Sequence, residues 1–428
     1  MVAIVYSTES LKGEFQVPAS KSHTIRAVII SSLAQGKSTL IKPLHSGDTQ
    51  AAVNACISLG AQIECQADKW EVYGFGGCPH PPSGKLDLMN SGTSFNLLAG
   101  VTSLAPFETI LDGDNSLRSR PVQPLLNALN QLGARAISLN GNGCPPISVQ
   151  GIIKGGRATI DGLNSQFVSS LLISCPLAES DTELTVVNLR EAPYVKMTLA
   201  WLDEQEIIYD GNENLTHFYI KGQQHYRPFQ KQISGDWSTA TFPLVAAAIT
   251  NSDVLLRGLD LNDTQGDKVI LDYLQQMGVN IRIEKAGIRL RGGSKLHGIH
   301  LDLNETPDAL PALSVLGCLA EGTTILDNVP QARIKETDRI AVMAKELSKL
   351  GAKVQEKKDG LIIHQSLLQG TEVNGHHDHR VVMALSLAGL RARGKTIVRT
   401  AEAARITFPD FFDMLTVLGA TVEVKSEQ

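Results

Sequence analysis

Leu59-Gly60-Ala61, Leu132-Gly133-Ala134, Met277-Gly278-Val279, Leu350-Gly351-Ala352 and Leu418-Gly419-Ala420 are five copies of one short phrase. Each closes a helix-like segment and leads into a strand. A sixth place, Gln205-Glu206-Ile207, keeps the position but has lost the glycine. The middle residues stand at 60, 133, 206, 278, 351 and 419, in steps of 73, 73, 72, 73 and 68. So regular a period across 428 residues marks one supersecondary unit copied through the whole chain. Glycine at this point lets a helix leave through a left-handed cap. Equivalent loops of every copy can then converge on one site.

Working outward from the exits, each is preceded by an amphipathic helix, and that helix by a charge-rich loop. Before the loop comes a short β-branched strand, at 36–41, 108–111, 183–187, 253–256, 322–326 and 394–398. Before the strand comes a segment apolar nearly all round, at 27–33, 97–104, 167–177, 242–249, 309–319 and 381–390. Helices apolar on every face are buried ones. Alternating stretches such as Thr421-Val422-Glu423-Val424 complete the unit as strands. A tandem solenoid fits less well, because buried helices interleave with sheets and no terminal repeat has capping character.

The composition is that of an ordinary globular chain long enough for two or three domains, 43% hydrophobic and 19% charged. A net charge of −5 argues against a general nucleic-acid or anionic-membrane surface, so affinity for anions must come from locally gathered cations. Apolar runs such as 309–320 are too short to span a bilayer. The start, Met1-Val2-Ala3-Ile4-Val5-Tyr6, has no basic region and no long apolar stretch, which predicts no signal peptide. Six cysteines without a CxxC pair read as reduced thiols in the cytoplasm.

Two sets of loops carry the chemistry. Those before the buried helices include Ser20-Lys21-Ser22-His23-Thr24-Ile25-Arg26, Asn90-Ser91-Gly92-Thr93, Asn164-Ser165-Gln166, Gly235-Asp236, Thr306-Pro307-Asp308 and His376-His377-Asp378-His379-Arg380. Their Ser, Thr, Asn and Asp residues are good N-caps, and capping alone explains most of them. Several copied helix N-termini facing one place also make a receptive site for phosphate or carboxylate. The loops after the first strands include Arg118-Ser119-Arg120-Pro121, Arg190-Glu191-Ala192-Pro193-Tyr194, Lys335-Glu336-Thr337-Asp338-Arg339 and Arg405-Ile406-Thr407-Phe408-Pro409. Most surface charge runs are solvated faces. Lys335-Glu336-Thr337-Asp338-Arg339 opens an amphipathic helix with two cations at the wrong end for the dipole, which calls for another reason.

Read in order, Ser20-Lys21-Ser22 with Arg26, Asn90-Ser91-Gly92-Thr93, Arg120-Pro121, Ser165-Gln166-Phe167, Pro307-Asp308-Ala309, Lys335-Glu336-Thr337-Asp338-Arg339, Asp378-His379-Arg380 and Thr407-Phe408-Pro409-Asp410 give the chain its likeness. It resembles the 5-enolpyruvylshikimate-3-phosphate (EPSP) synthase family over essentially its full length. The resemblance implies an α/β (α+β) fold of two similar domains, each of three βαβαββ repeats around buried parallel helices (an inside-out α/β barrel). It puts residues 1–17 and 233–428 in one domain and 18–232 in the other, with a hinge near 17–20 and 229–234. Substrates are then expected in the interdomain cleft.

The same resemblance implies transfer of the enolpyruvyl group of phosphoenolpyruvate to the 5-hydroxyl of 3-phosphoshikimate, a step of the shikimate pathway, with no metal and no organic cofactor. It assigns phosphoenolpyruvate to Lys21, Gly92, Arg120, Gln166, Arg339 and Arg380. It assigns 3-phosphoshikimate to Lys21, Ser22, Arg26, Asn164, Ser165, Gln166, Tyr194, Asp308, Gln331 and Lys335. Asp308 and Glu336 are the expected proton-transfer residues, with Lys21 and His379 in support. A monomer is implied, with no nucleic-acid or membrane partner.

Several positions depart from the family pattern. Ile406 stands where a phosphate-binding lysine is usual, and Arg405 points elsewhere if the segment is extended. Asn96 and Leu97 replace a frequent Arg-Pro, Asn164 and Glu191 replace serines, and Gln331 replaces an asparagine. A carboxylate at 191 repels a bound phosphate unless a cation such as Arg190 intervenes. With Ile406, glyphosate is expected to bind poorly. The related UDP-N-acetylglucosamine enolpyruvyl transferases carry a loop cysteine where this chain has Asn115, and a binding protein without catalysis would not need Lys21, Asp308 and Glu336 together. Gly36-Lys37-Ser38 is no P-loop, since the earlier glycine would fall at Ser31. The run His376-His377-Asp378-His379 is a poor metal site, because adjacent side chains in a loop diverge.

Overall fold

A computed structural model describes residues 1–426. It divides into two compact units, Ala19–Ile233 and Met1–Pro18 with the chain from Ser234. Each unit holds three four-stranded sheets. The second copy shows the plan. Leu86–Asp87 pairs in parallel with Thr109–Asp112 across the buried helix Gly92–Thr102. The amphipathic helix Gln123–Gln131 then leads to Arg135–Ser138 and Ile147–Gln150, and the latter lies antiparallel between Arg135–Ser138 and Thr109–Asp112. That is a βαβαββ unit. The sheets are open and separate, so no hydrogen-bonded barrel closes among the described residues.

Three copies borrow a strand. In the Ala19–Ile233 unit, Gln230–Gln232 pairs in parallel with Gln35–Ile41, completing the first copy from the far end of the unit. In the other unit, Lys12–Gln16 pairs with Asp253–Arg257, and Val2–Tyr6 lies between Lys395–Arg399 and Val422–Lys425.

The six apolar segments are the buried helices Lys21–Leu33, Gly92–Thr102, Ser165–Ser174, Trp237–Ile249, Leu310–Leu319 and His379–Arg391. Trp237–Ile249 is buried at all 13 positions. Packing decides its stability: each buried Leu, Ile or Phe contributes about 1.5–3 kcal/mol, against about 1 kcal/mol for a cap. In its unit the three buried helices pack on one another, and in the Ala19–Ile233 unit Gly92–Thr102 packs against both neighbours. The approach to Ser165–Ser174 is closest at Gly100, where an added Cβ would stand 2.5 Å from Ser170 Oγ. Each unit has its own apolar core.

The helix ends follow the sequence closely. Ser20, Ser91, Asn164, Asp236 and Asp378 each cap a buried helix by accepting from a backbone N–H of the first turn. Thr306 does not; there the 3₁₀ turn Pro307–Ala309 feeds the helix. At the exits Gly60, Gly133, Gly278, Gly351 and Gly419 have φ between 84° and 108°, and Glu206 adopts the same left-handed backbone with φ 56°. All six are followed by an N–H that reaches back five residues, as from Ala61 to Cys56 O and from Ile207 to Leu202 O. The sixth exit therefore makes the same cap without glycine, at a cost of about 1–2 kcal/mol.

Two local expectations are corrected. The segment around Arg405 is not extended: Ala401–Ile406 is a 3₁₀ helix, and Ile406 packs against the apolar core. In Lys335-Glu336-Thr337-Asp338-Arg339 only Arg339 is helical, because Asp338 is the cap and accepts from Ala341 N–H. Among the described residues no helix is long and apolar enough to cross a membrane.

Candidate active site

In the unit containing Asp308, an arginine organises the carboxylates. Arg339 opens its helix and is 1% exposed. Its guanidinium donates from Nη1 to Asp308 Oδ1 (2.6 Å), from Nη2 to Glu336 Oε2 (2.5 Å), and from Nε and Nη2 to the two oxygens of Asp378 (2.7 and 3.2 Å). Arg380 Nη2 lies 2.9 Å from Asp308 Oδ2, so Asp308 bridges two guanidinium groups. Burial pushes the Asp308 carboxyl up, but the charges of Arg380, Arg339 and Lys335 outweigh it and hold it well below the usual carboxylate range. The neighbouring carboxylates in turn drive Arg339 up, against its burial.

Five of the proposed residues thus share one network: Asp308, Glu336, Arg339 and Arg380 directly, Lys335 through its charge. His379 is fully buried at the start of the helix that Asp378 caps. Gln331 is buried; its Nε2 donates to Asn304 O (2.8 Å), while its Oε1 has no hydrogen-bond partner among the described residues. The residue that sequence reasoning left out is Asp378. Its signal was present, an acid placed to cap a buried helix, but nothing in the sequence showed that the same carboxylate reaches Arg339.

In the Ala19–Ile233 unit the N-terminal ends of three buried helices are tied by polar bonds. Lys21 Nζ sits 3.0 Å from Asp48 Oδ2. Arg26, fully buried, donates to Ser22 O, Thr198 Oγ1, Ser169 Oγ and Tyr194 O at 2.9–3.3 Å, all neutral oxygens. Burial lowers its guanidinium to about 10, and no carboxylate among the described residues pairs with it. A buried cation surrounded only by neutral oxygens suits an anionic ligand.

Gly92, Arg120 and Gln166 stand together. A Cβ at Gly92 would be 2.9 Å from Arg120 Nη1 and 3.8 Å from Gln166 Oε1, so glycine leaves the room that side chain occupies. Arg120 donates to Asn90 O, Asn90 Oδ1 and Ser116 Oγ at 2.9–3.2 Å. Gln166 is held at both ends, accepting from Asn96 Nδ2 (2.8 Å) and donating to Thr93 Oγ1 (3.0 Å). Asn96, where arginine is frequent, thereby orients the Gln166 amide. Asn164 caps the helix through Gln166 N–H, and Ser165 Oγ donates to Glu191 Oε2 (2.8 Å). Glu191 is 2% exposed with φ 53°. Of Tyr194 the backbone carbonyl takes part, accepting from Arg26.

The family model "EPSP synthase (3-phosphoshikimate 1-carboxyvinyltransferase)" matches residues 5–415. A 3-phosphoshikimate 1-carboxyvinyltransferase of Acetivibrio thermocellus is 48% identical over 410 residues, 96% of each chain. One of Methanococcus aeolicus is 42% identical over 431 residues, covering 99% of this chain and 100% of its own. A solved structure of EPSP synthase from Acinetobacter baumannii superposes with a TM-score of 0.82 at 29% identity, covering 99% of both chains. The chain belongs to the EPSP synthase (3-phosphoshikimate 1-carboxyvinyltransferase) family.

Proposed function

We infer that the protein transfers the enolpyruvyl group of phosphoenolpyruvate to the 5-hydroxyl of 3-phosphoshikimate and releases phosphate. The observation that carries the reading is the Arg339 network, which holds two candidate proton-transfer carboxylates, Asp308 and Glu336, on one buried guanidinium. Two anionic substrates need several fixed cations, and Arg339, Arg380, Arg120, Lys21 and Arg26 supply them.

The 5-hydroxyl adds to C2 of phosphoenolpyruvate while C3 gains a proton, giving a tetrahedral ketal phosphate. Loss of a C3 proton and of phosphate then forms the enol ether. Asp308, ionised between two guanidinium groups, accepts the hydroxyl proton. The cations that keep it ionised also make it a weak base, so the proton leaves only as the C2–O bond forms. Glu336 delivers the C3 proton. The substrate's own anionic groups compete for Arg339, and that competition frees Glu336 to carry a proton. Protonating the alkene creates the electrophile, so this chemistry calls for no metal or organic cofactor.

Arg26, with the Ser165 and Gln166 helix end, takes the shikimate partner, and Gly92 with Arg120 takes phosphoenolpyruvate. Lys21, Ser22, Asn164, Tyr194, Gln331 and Lys335 complete the acceptor set, and His379 supports the proton transfers. The protein acts as a cytoplasmic monomer. Phosphate release is measured with phosphoenolpyruvate and either 3-phosphoshikimate or UDP-N-acetylglucosamine. Release with the first acceptor alone is expected; release only with the second, or with neither, refutes the reading.

A further inference from the structure

Glu346 lies seven residues after Arg339 on the helix Arg339–Lys349, so the two share a face. It is a fully buried carboxylate, and the reaction does not use it. It accepts from Asn374 N–H (2.9 Å), from His376 Nε2 (3.0 Å) and from Lys349 Nζ (2.9 and 2.7 Å). Asn374 ends the strand Glu372–Asn374, and His376 lies in the loop that runs from it to Asp378, the partner of Arg339. The helix and the loop are therefore joined twice: at one end by Arg339 and Asp378, and two turns on by Glu346 with Asn374 and His376.

The loop between these ties is strained. His376 and His377 are consecutive non-glycine residues with φ 53° and 57°. Such backbone is disfavoured and persists only where its surroundings over-determine it. The seat is tight as well. A Cβ at Gly375 would lie 2.1 Å from Val382 Cγ2 and 2.7 Å from Thr400 Oγ1. His377 N–H donates to Thr400 Oγ1 (3.2 Å) and Asp378 N–H to Gly375 O.

We propose that Glu346 and His376 form a clasp that holds this loop in its left-handed course, placing Asp378 and hence Arg339 for the transfer reaction. The inference rests on the function proposed above. Glu346 and His376 are positioning residues: they act through the aim of one guanidinium. Release of the clasp lets residues 376–378 relax toward ordinary backbone and turns Asp378 away from Arg339.

The test uses the full chain with three variants: Glu346→Gln, which is nearly isosteric, His377→Gly, and the double variant. Glu346→Gln is expected to lower kcat/KM for phosphoenolpyruvate about tenfold or more, since misplacing a substrate-holding group by an ångström carries that size of penalty. The KM for 3-phosphoshikimate and the cooperative thermal transition are expected to stay. His377→Gly alone leaves activity unchanged. The double variant recovers to within about threefold of the parent, because glycine takes left-handed backbone without strain. Full activity of Glu346→Gln, or a loss that His377→Gly does not relieve, overturns the proposal. If the parent chain itself fails to release phosphate, the proposed function falls. Amide exchange at 376–378 then decides the clasp: faster exchange in Glu346→Gln supports it, and unchanged exchange overturns it.

Discussion

Asp308→Asn separates the two tasks given to Asp308. The carboxylate accepts from Arg339 Nη1 at 2.6 Å and lies 2.9 Å from Arg380 Nη2, with a side chain 18% exposed. Asparagine keeps one oxygen for the first contact and turns an NH₂ toward the second. One charge-assisted bond is lost, worth about 1.5–3 kcal/mol. A unit of this size loses about 2–4 °C in Tm per kcal/mol, so the transition should drop by about 3–12 °C. Loss of the proton acceptor should lower kcat by about 10²–10⁴, with the KM for phosphoenolpyruvate changing far less. Both are read from steady-state phosphate release and a thermal scan of the same preparation. The pH dependence has a definite sign. The folded carboxyl lies below its unfolded value, near ~4, so its stabilisation is complete above that value and is lost as pH falls through the folded one. The gap in Tm between parent and variant should hold steady from neutral pH to about 5 and narrow below ~4. A kcat within about threefold of the parent refutes the role assigned to Asp308.

Ile406→Lys should strengthen glyphosate inhibition by about tenfold or more, the size of one new charge-assisted bond, while the parent is not inhibited at low-micromolar concentration; steady-state inhibition curves check both. Gly351→Ala should destabilise by about 1–2 kcal/mol in denaturant unfolding, a purely conformational effect, because its new Cβ would meet only Leu367 O at 3.6 Å. Gly60→Ala should be worse, since its Cβ would fall 2.6 Å from His80 Nδ1. Alkylation of the native protein at mildly alkaline pH, followed by mass spectrometry, should label Cys65, Cys78 and Cys144. It should spare Cys56, Cys175 and Cys318, whose thiols burial pushes up to about 12.

The repeat made most of the fold legible, because buried helices, β-branched strands and glycine exits each obey a local rule. Glu206 marks where locality ends: nothing in its side chain asks for left-handed backbone, yet the backbone adopts it. The three borrowed strands were equally invisible, since Val2–Tyr6 carries no sign that its partners lie near 395 and 422. At the site, Asp308, Glu336, Arg339 and Arg380 were readable as motifs. Asp48 and Glu346 were not, and Asp378 was readable as part of a motif but not as the partner of Arg339, because each acts by reaching an element distant in sequence. Likewise Asn96 stood out only as a departure until its bond to Gln166 gave it a task.

The placement of Val2–Tyr6 has a consequence for synthesis. Residues 19–233 hold every strand their three sheets require, so that stretch can close while the rest of the chain is still being made. The opening strand must wait for partners some four hundred positions downstream before its hydrogen bonds are filled. A polypeptide that stops short of 422 leaves one edge of Val2–Tyr6 unmatched, an exposed template for joining other molecules. For this protein, a late premature stop should yield aggregates rather than a smaller working enzyme.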